Sequence, residues 1–216
     1  LESQVFSKIQ DGATDIDRVN QEKGYFSMTP TNADPVEPQG LCILWSGGID
    51  STTLVLEALR ARLVFSTIFF AYGQTNHSQE HLAVQKMAKI LGIEASHRVV
   101  DLDTISKHGD IYEDRNTLLV MTALEFGFRP VAIGCNLTDF ADFPDCRPEW
   151  LDQINSVTGN AVLAPLIYLT KKNVIEKFLE LGGRELLGLT WSCYEPKNST
   201  PCGSCSACRV LMEALR

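Results

Sequence analysis

The chain has 216 residues, 44% of them hydrophobic and 21% charged, which is room for one ordinary domain with a real core and a small appendage. A net charge of -8 argues against broad binding of nucleic acid, which draws on basic contacts to phosphate. No apolar run approaches the ~20 residues that cross a bilayer, and residues 1–20 lack the basic start and apolar stretch of a secretory leader.

Residues 1–40 read as a polar extension with one short helix near Gln4–Ile9, punctuated at its end by Pro30, Asn32, Pro35, Pro38 and Gly40. Leu41–Trp45 is a short apolar run before a Gly-rich turn, as expected of a buried parallel strand. After the turn, Val55, Ala58 and Leu59 recur at helical spacing. Val64–Ala71, rich in β-branched and aromatic residues, predicts a second strand. His77–Leu91 predicts a helix with Ala83, Met87, Ile90 and Leu91 on one stripe, ended by Gly92. Val99–Leu102 predicts a third strand, Thr117–Phe126 a helix, and Val131–Cys135 a fourth strand. Pro148 suits the first turn of a helix running towards Val157. Thr170 suits the cap of a helix on which Val174, Phe178 and Leu181 align. A strand at Trp191–Tyr194 and a helix at Ala207–Leu215 close the series.

Strands alternating with helices imply an α/β fold, a parallel sheet with helices on both faces, whose ligands bind beyond the carboxyl ends of the strands. The expected division is an extension at 1–40, a nucleotide-binding α/β domain at 41–190, and a cysteine motif with the C-terminal helix at 191–216.

The most informative stretch is Ser46-Gly47-Gly48-Ile49-Asp50-Ser51-Thr52, directly after a strand and before a helix. Adjacent glycines let backbone N–H groups approach an anion, the helix points its positive end there, and Ser46, Ser51 and Thr52 add hydroxyls. The lysine of GxxxxGK[ST] is absent, as is the GxGxxG turn. A plain Gly-Gly turn would share the two glycines but not the whole SGGxDS string.

Cys193, Cys202, Cys205 and Cys208 form C-x8-C-x2-C-x2-C, a spacing that brings thiolates onto one ion. Four thiolates are the usual closed zinc site; an iron–sulfur cluster and a redox dithiol use similar spacing. Seven cysteines without a leader fit a reducing compartment, so the expected location is the cytoplasm. Cys42, Cys135 and Cys146 read as small core or loop residues.

Gly134-Cys135-Asn136 follows the fourth strand, at its ligand-binding end. Phe143-Pro144-Asp145-Cys146-Arg147-Pro148-Glu149 crowds acid, base and acid into one loop. A carboxylate there can accept paired N–H donors from a guanine-like edge, and an arginine can grip a carboxylate; a surface loop with local ion pairs would look alike on charge alone. His77 and His81 lie one helical turn apart and read as exposed helix histidines rather than a second metal site.

SGGIDST resembles the pyrophosphate loop of the ATP pyrophosphatases, of the adenine nucleotide alpha hydrolase-like fold. That resemblance implies attack on the α-phosphate of ATP with release of AMP and pyrophosphate. Together with Tyr72-Gly73-Gln74, Arg115-Asn116, GCN, FPDCRPE, Ala164-Pro165-Leu166, Leu169-Thr170-Lys171, Leu189-Thr190-Trp191-Ser192-Cys193-Tyr194 and the CGSCSACR tail, it closely resembles the 7-cyano-7-deazaguanine synthases (QueC) over about residues 41–211.

The resemblance implies an ATP-dependent ligase that adenylates 7-carboxy-7-deazaguanine, adds ammonia, and spends a second ATP to form the nitrile, with Mg2+ on the pyrophosphate and Zn2+ on the four cysteines. Ser46, Gly47, Gly48, Asp50, Ser51 and Thr52 are the expected ATP residues, with Lys171 reaching a phosphate. Ser46, Asp50, Ser51 and Lys171 are the catalytic candidates, and Tyr72 and Gln74 are expected to flank adenine or substrate. Arg115, Asn116, Asn136, Asp145, Arg147 and Glu149 are candidates for the deazaguanine and its carboxylate. A homodimer is implied; a membrane or nucleic-acid partner is not.

The family carries a longer segment between its VVDL-like strand and a Gly-Arg-Asn motif, whereas here Asp101 is soon followed by Asp114-Arg115-Asn116, and the extension at 1–40 is atypical. A second reading follows: a QueC-like enzyme joining the activated deazaguanine to another amine, such as a protein, as relatives in bacterial antiviral operons do. A reading from another class is a non-catalytic, zinc-bearing nucleic-acid binder.

Overall fold

A computed structural model describes residues 40–93, 98–101 and 114–215, with 98–101 given by backbone alone. The expected helix at Gln4–Ile9 lies outside them. The strands are β1 (Leu41–Leu44), β2 (Phe65–Ala71), β3 (Arg98–Asp101), β4 (Val131–Ala132) and β5 (Val162–Leu163). The α-helices are α1 (Ile49–Arg60), α2 (His77–Leu91), α3 (Arg115–Glu125), α4 (Pro148–Thr158), α5 (Lys171–Glu180) and α6 (Ser206–Ala214).

All strand pairs are parallel, in the order β3-β2-β1-β4-β5. β1 therefore sits in the middle and must be apolar on both faces. Cys42 and Leu44 face a core closed by α3 and α4, through Val120, Ala123 and Ile154. Ile43 and Trp45 face a second core closed by α1, α2 and α5, through Val55, Met87 and Phe178. Burying side chains such as Ile43 or Phe178 stabilises the fold by about 2–3 kcal/mol each relative to exposure. Helices on both faces of a parallel sheet are the expected α/β class.

Several element details differ from expectation. α2 turns Glu80, Ala83, Val84, Met87 and Ala88 inward and leaves Ile90 exposed, because its buried stripe takes in the acid. β4 ends at Ala132, where Gly134 must pass close to α1. A Cβ on Gly134 would lie 2.9 Å from the Ser51 backbone nitrogen. Trp191–Tyr194 is not a strand; its backbone groups bond to loops instead. The segment carrying the cysteines belongs to the same compact unit, Pro38–Arg216, and Leu211 and Ala214 of α6 pack on the core beside α1 and α5. No helix among the described residues is long and apolar enough to cross a membrane.

Candidate functional site

Strand order reverses between β1 and β4, which leaves a crevice beyond their carboxyl ends. The loop after β1 and the turn after β4 meet there. Gly47 has φ +82°, and a Cβ on it would stand 2.9 Å from the Glu80 carbonyl oxygen and 3.1 Å from Ala83 Cβ. Only glycine lets α2 close on the loop in this conformation. Gly48 is the N-cap of α1, and no side chain caps the helix. The first intrahelical bond runs from Thr52 N–H to the Gly48 carbonyl at 3.0 Å. The N–H groups of Ile49, Asp50 and Ser51 precede that bond, so the helix gives them no acceptor, and its positive end lies with them. The Ser46 and Ser51 hydroxyls are hydrogen-bonded at 3.1 Å beside these donors.

Asp50 stands in the first turn of α1 and forms an ion pair with Lys171, the first residue of α5. Thr170 caps α5 by accepting from Asn173 N–H, and the Lys171 N–H donates to Thr138 Oγ1 at 2.9 Å. Asn136 is buried and its Nδ2 donates to Asp50 Oδ1 at 3.2 Å and to Asp139 Oδ2 at 2.7 Å. Asn136 caps the 3-10 turn Leu137–Phe140 and forms a reciprocal capping box with Asp139. Burial first, then repulsion from Asp50, pushes the Asp139 carboxyl up to about 6.

On the other side of the crevice, Glu80 is buried on α2. Its carboxyl accepts from Gln74 Nε2 at 3.1 Å and Asn76 Nδ2 at 3.0 Å, and burial pushes its pKa up to about 7. Gln74 also accepts from Tyr72 N–H at 2.8 Å. Arg115, at the start of α3, donates from Nη1 to Tyr72 Oη at 3.0 Å. Burial works against its charge, yet Tyr72, Tyr194, Glu80 and Asp145 outweigh that and raise its pKa. The ion pairs among the described residues are Lys171–Asp50 and Lys177–Glu57, so Arg115 has none with another described residue.

One cavity joins these groups. Ser46, Gly48, Asp50, Ser51 and Lys171 line it, together with Tyr72, Gln74, Arg115 and Asn116. Other expected residues lie elsewhere. Thr52 is fully buried, and its hydroxyl accepts from the Trp45 indole at 2.9 Å, so its side chain is turned into the core. Asp145 is buried and accepts from Asn116 N–H at 2.7 Å, which caps the start of α3. Arg147 is exposed and donates to the Phe140 carbonyl at 2.8 Å; Glu149 is also exposed, and neither lines the cavity. From that loop the wall takes Phe143 and Cys146 instead.

Glu80, Asp139 and Tyr194 line the cavity and were not among the expected site residues. An acid at the 80, 83, 84, 87 stripe of α2, and an aspartate three residues after a capping asparagine, were the available signals. His77 and His81 are half-buried rather than exposed; His81 stacks on Phe69, and His77 packs against the same ring at a tilt.

The four cysteine sulfurs lie within 4.8 Å of one another, and Gly203 at φ +71° makes the turn between two of them. Backbone N–H groups of Ser204 and Cys205 pull the Cys202 thiol down to about 6, while burial pushes Cys193 up and Cys208 up to about 12. An all-sulfur set converging this closely fits a metal ion. The cluster is tied to the cavity: Trp191 N–H donates to the Gly47 carbonyl at 2.9 Å, Asn76 Nδ2 donates to the Cys193 carbonyl at 3.0 Å, and Ser206, Ala207 and Val210 of α6 line the cavity wall.

Residues 41–113 and 110–216 match the family described as Queuosine biosynthesis protein QueC. The chain belongs to this family. A 7-cyano-7-deazaguanine synthase of Rhodopirellula baltica is 32% identical over 227 residues, covering 84% of this chain and 89% of that protein. One of Legionella pneumophila is 32% identical over 203 residues, covering 77% and 87%. The first alignment is longer than the chain's own 216 residues, so gaps open in this chain, and the QueC match divides at residues 110–113. Among solved structures, an NMN synthetase from Francisella tularensis has a TM-score of 0.46 at 18% identity, over 70% of this chain and 66% of that one. As a QueC family member with such relatives, the chain is an enzyme of the synthase kind.

Proposed function

We propose that this enzyme adenylates the carboxylate of 7-carboxy-7-deazaguanine with ATP and uses ammonia to carry it to 7-cyano-7-deazaguanine. The observation that carries this reading is the pairing of two anion sites in one cavity. One is the set of uncapped N–H groups of α1, suited to a pyrophosphate. In the wall is the Arg115 guanidinium, half-buried and with no ion pair among the described residues, suited to a carboxylate. A carboxylate oxygen held between them attacks the α-phosphate, and pyrophosphate leaves towards the helix end. Ammonia then displaces AMP to give the amide. A second ATP activates the amide oxygen, and loss of AMP leaves the nitrile.

Positioning and charge stabilisation account for the catalysis, with no covalent nucleophile. Ser46, Gly48, Asp50, Ser51 and Lys171 are the ATP residues of this proposal, with Gly47 shaping the loop, Tyr72 and Gln74 beside the substrate, and Asn116 and Asn136 fixing the walls. Mg2+ would neutralise the pyrophosphate. Zn2+ is the metal proposed for Cys193, Cys202, Cys205 and Cys208, supplying a rigid cross-link to α6; an iron–sulfur cluster would colour the purified protein. A homodimer is the proposed assembly, read from elution volume.

The test incubates the enzyme with ATP, 7-carboxy-7-deazaguanine and ammonium and follows product mass and nucleotide. Nitrile with AMP supports the reading, ADP refutes it, and Ser51→Ala abolishes pyrophosphate release. A second reading, transfer to a larger amine such as a protein, is favoured by the divided match at residues 110–113. AMP release without nitrile selects it.

A further inference from the structure

Every nitrogen step in this chemistry must shed a proton. When ammonia attacks the acyl adenylate, the C–N bond forms, the C–O bond to AMP breaks, and one N–H proton leaves. Loss of AMP from the activated amide sheds another as the nitrile forms. A group that takes these protons must face the cavity, keep a free acceptor atom, and lie close to the phosphate loop. It must also remain a base when the anionic substrates are bound.

Asp50 does not qualify, because Lys171 holds one of its oxygens and Asn136 the other. Asp142 also lines the cavity, but it is exposed, and no hydrogen bond orients its carboxylate among the described residues. Asp139 is different. Its Oδ2 is fixed by Asn136 N–H at 3.3 Å and Asn136 Nδ2 at 2.7 Å, and no hydrogen bond occupies its Oδ1 among the described residues. The capping box leaves the carboxylate little freedom, and Asn136 spans from it to Asp50 in the phosphate loop. That makes Asp139 a pre-oriented carboxylate of the cavity wall, one amide away from Asp50 in the first turn of α1.

We propose that Asp139 accepts the nitrogen protons in the aminolysis step, and that Asn136 is the residue that positions it. This rests on the adenylation reading above. The groups facing Asp139 are Asp50 from α1, Lys171 from α5, Arg115 from α3, Tyr194 from the loop that follows Cys193, and Cys135 after β4. Burial and Asp50 raise its basicity while Lys171 and Arg115 restrain it, which suits a base working just below neutrality.

Two half-reactions separate this role from binding. Carboxylate-dependent exchange of labelled pyrophosphate into ATP reports adenylation alone, and ammonia-dependent product formation reports the proton transfer. Asp139→Asn should keep exchange within about threefold while ammonia-dependent turnover falls by ~100-fold or more, the usual worth of a general base. In the unaltered enzyme, single-turnover aminolysis at a constant concentration of free NH3 should fall on the acid side with a midpoint near pH 6 that the exchange reaction lacks. This second measurement needs no variant to fold. Equal loss of exchange and turnover in Asp139→Asn overturns the proposal, as does an acid limb shared by both half-reactions. No exchange in the unaltered enzyme sinks the adenylation reading itself, and the assignment of Asp139 falls with it.

Discussion

Glu80→Gln gives a prediction whose sign depends on pH. In the folded protein the Glu80 carboxyl keeps its proton up to about pH 7, against an ordinary value of 4.5, because burial disfavours the charge. Between those values the folded state binds more protons than the unfolded one, so stability falls as pH rises. Above pH 7 the whole penalty stands, about 3 kcal/mol at about 1.4 kcal/mol per pH unit. Glutamine removes that titration. It also sets an amide nitrogen against Gln74 Nε2 or Asn76 Nδ2, both of them donors, which costs about 1 kcal/mol at every pH. Urea unfolding at pH 5.5 and 8.5, with metal present, should therefore show the variant gaining about 2 kcal/mol on the parent across that interval. Proton release at the cysteines is common to both proteins and cancels in the difference. A difference that stays constant with pH would refute the claim that burial keeps this acid neutral.

Gly47→Ala should cost about 3 kcal/mol, from the left-handed backbone and the crowding of Glu80 and Ala83, and should weaken nucleotide binding in calorimetry by tenfold or more. Lys171→Met removes the partner of Asp50. Because both side chains keep some contact with water, the loss should be nearer ~2 kcal/mol than the 3–5 of a fully buried pair, with a larger effect on pyrophosphate exchange than on substrate affinity. Stripping the metal with a chelator should lower the melting temperature and shift the emission of Trp191, whose indole donates to the Cys193 carbonyl at 2.9 Å; an unchanged spectrum would mean that the cysteines fold without an ion.

The parts of the molecule that were legible in the sequence are those whose cause is local. The SGGxDS string, the β1 run and the CxxCxxC spacing each specify their geometry within a few residues, and Thr170 caps α5 as read. The parts that were not legible depend on distant partners. Trp191–Tyr194 has the composition of a strand, but Trp191 N–H goes to Gly47, and the carbonyls of Cys193 and Tyr194 go to Asn76 and Thr75. β5 spans two residues, with Leu163 partly exposed, too short for periodicity to register. Arg147 and Glu149 drew attention by charge, yet the cavity wall beside them is made by Phe143 and Cys146. Asp139 stayed hidden because its importance comes from Asn136 reaching Asp50, a contact between residues far apart in the chain.

The bond between Trp191 and Gly47 also sets an order of events during synthesis. The loop and the middle strand leave the ribosome early, while the backbone that braces them and the helix that walls the cavity follow only after the whole sheet has been made. A nascent chain thus carries the Ser46–Thr52 loop before the Trp191 backbone that braces it at Gly47 has been made. The cavity becomes complete only when the last helix docks and Ser206, Ala207 and Val210 close its wall.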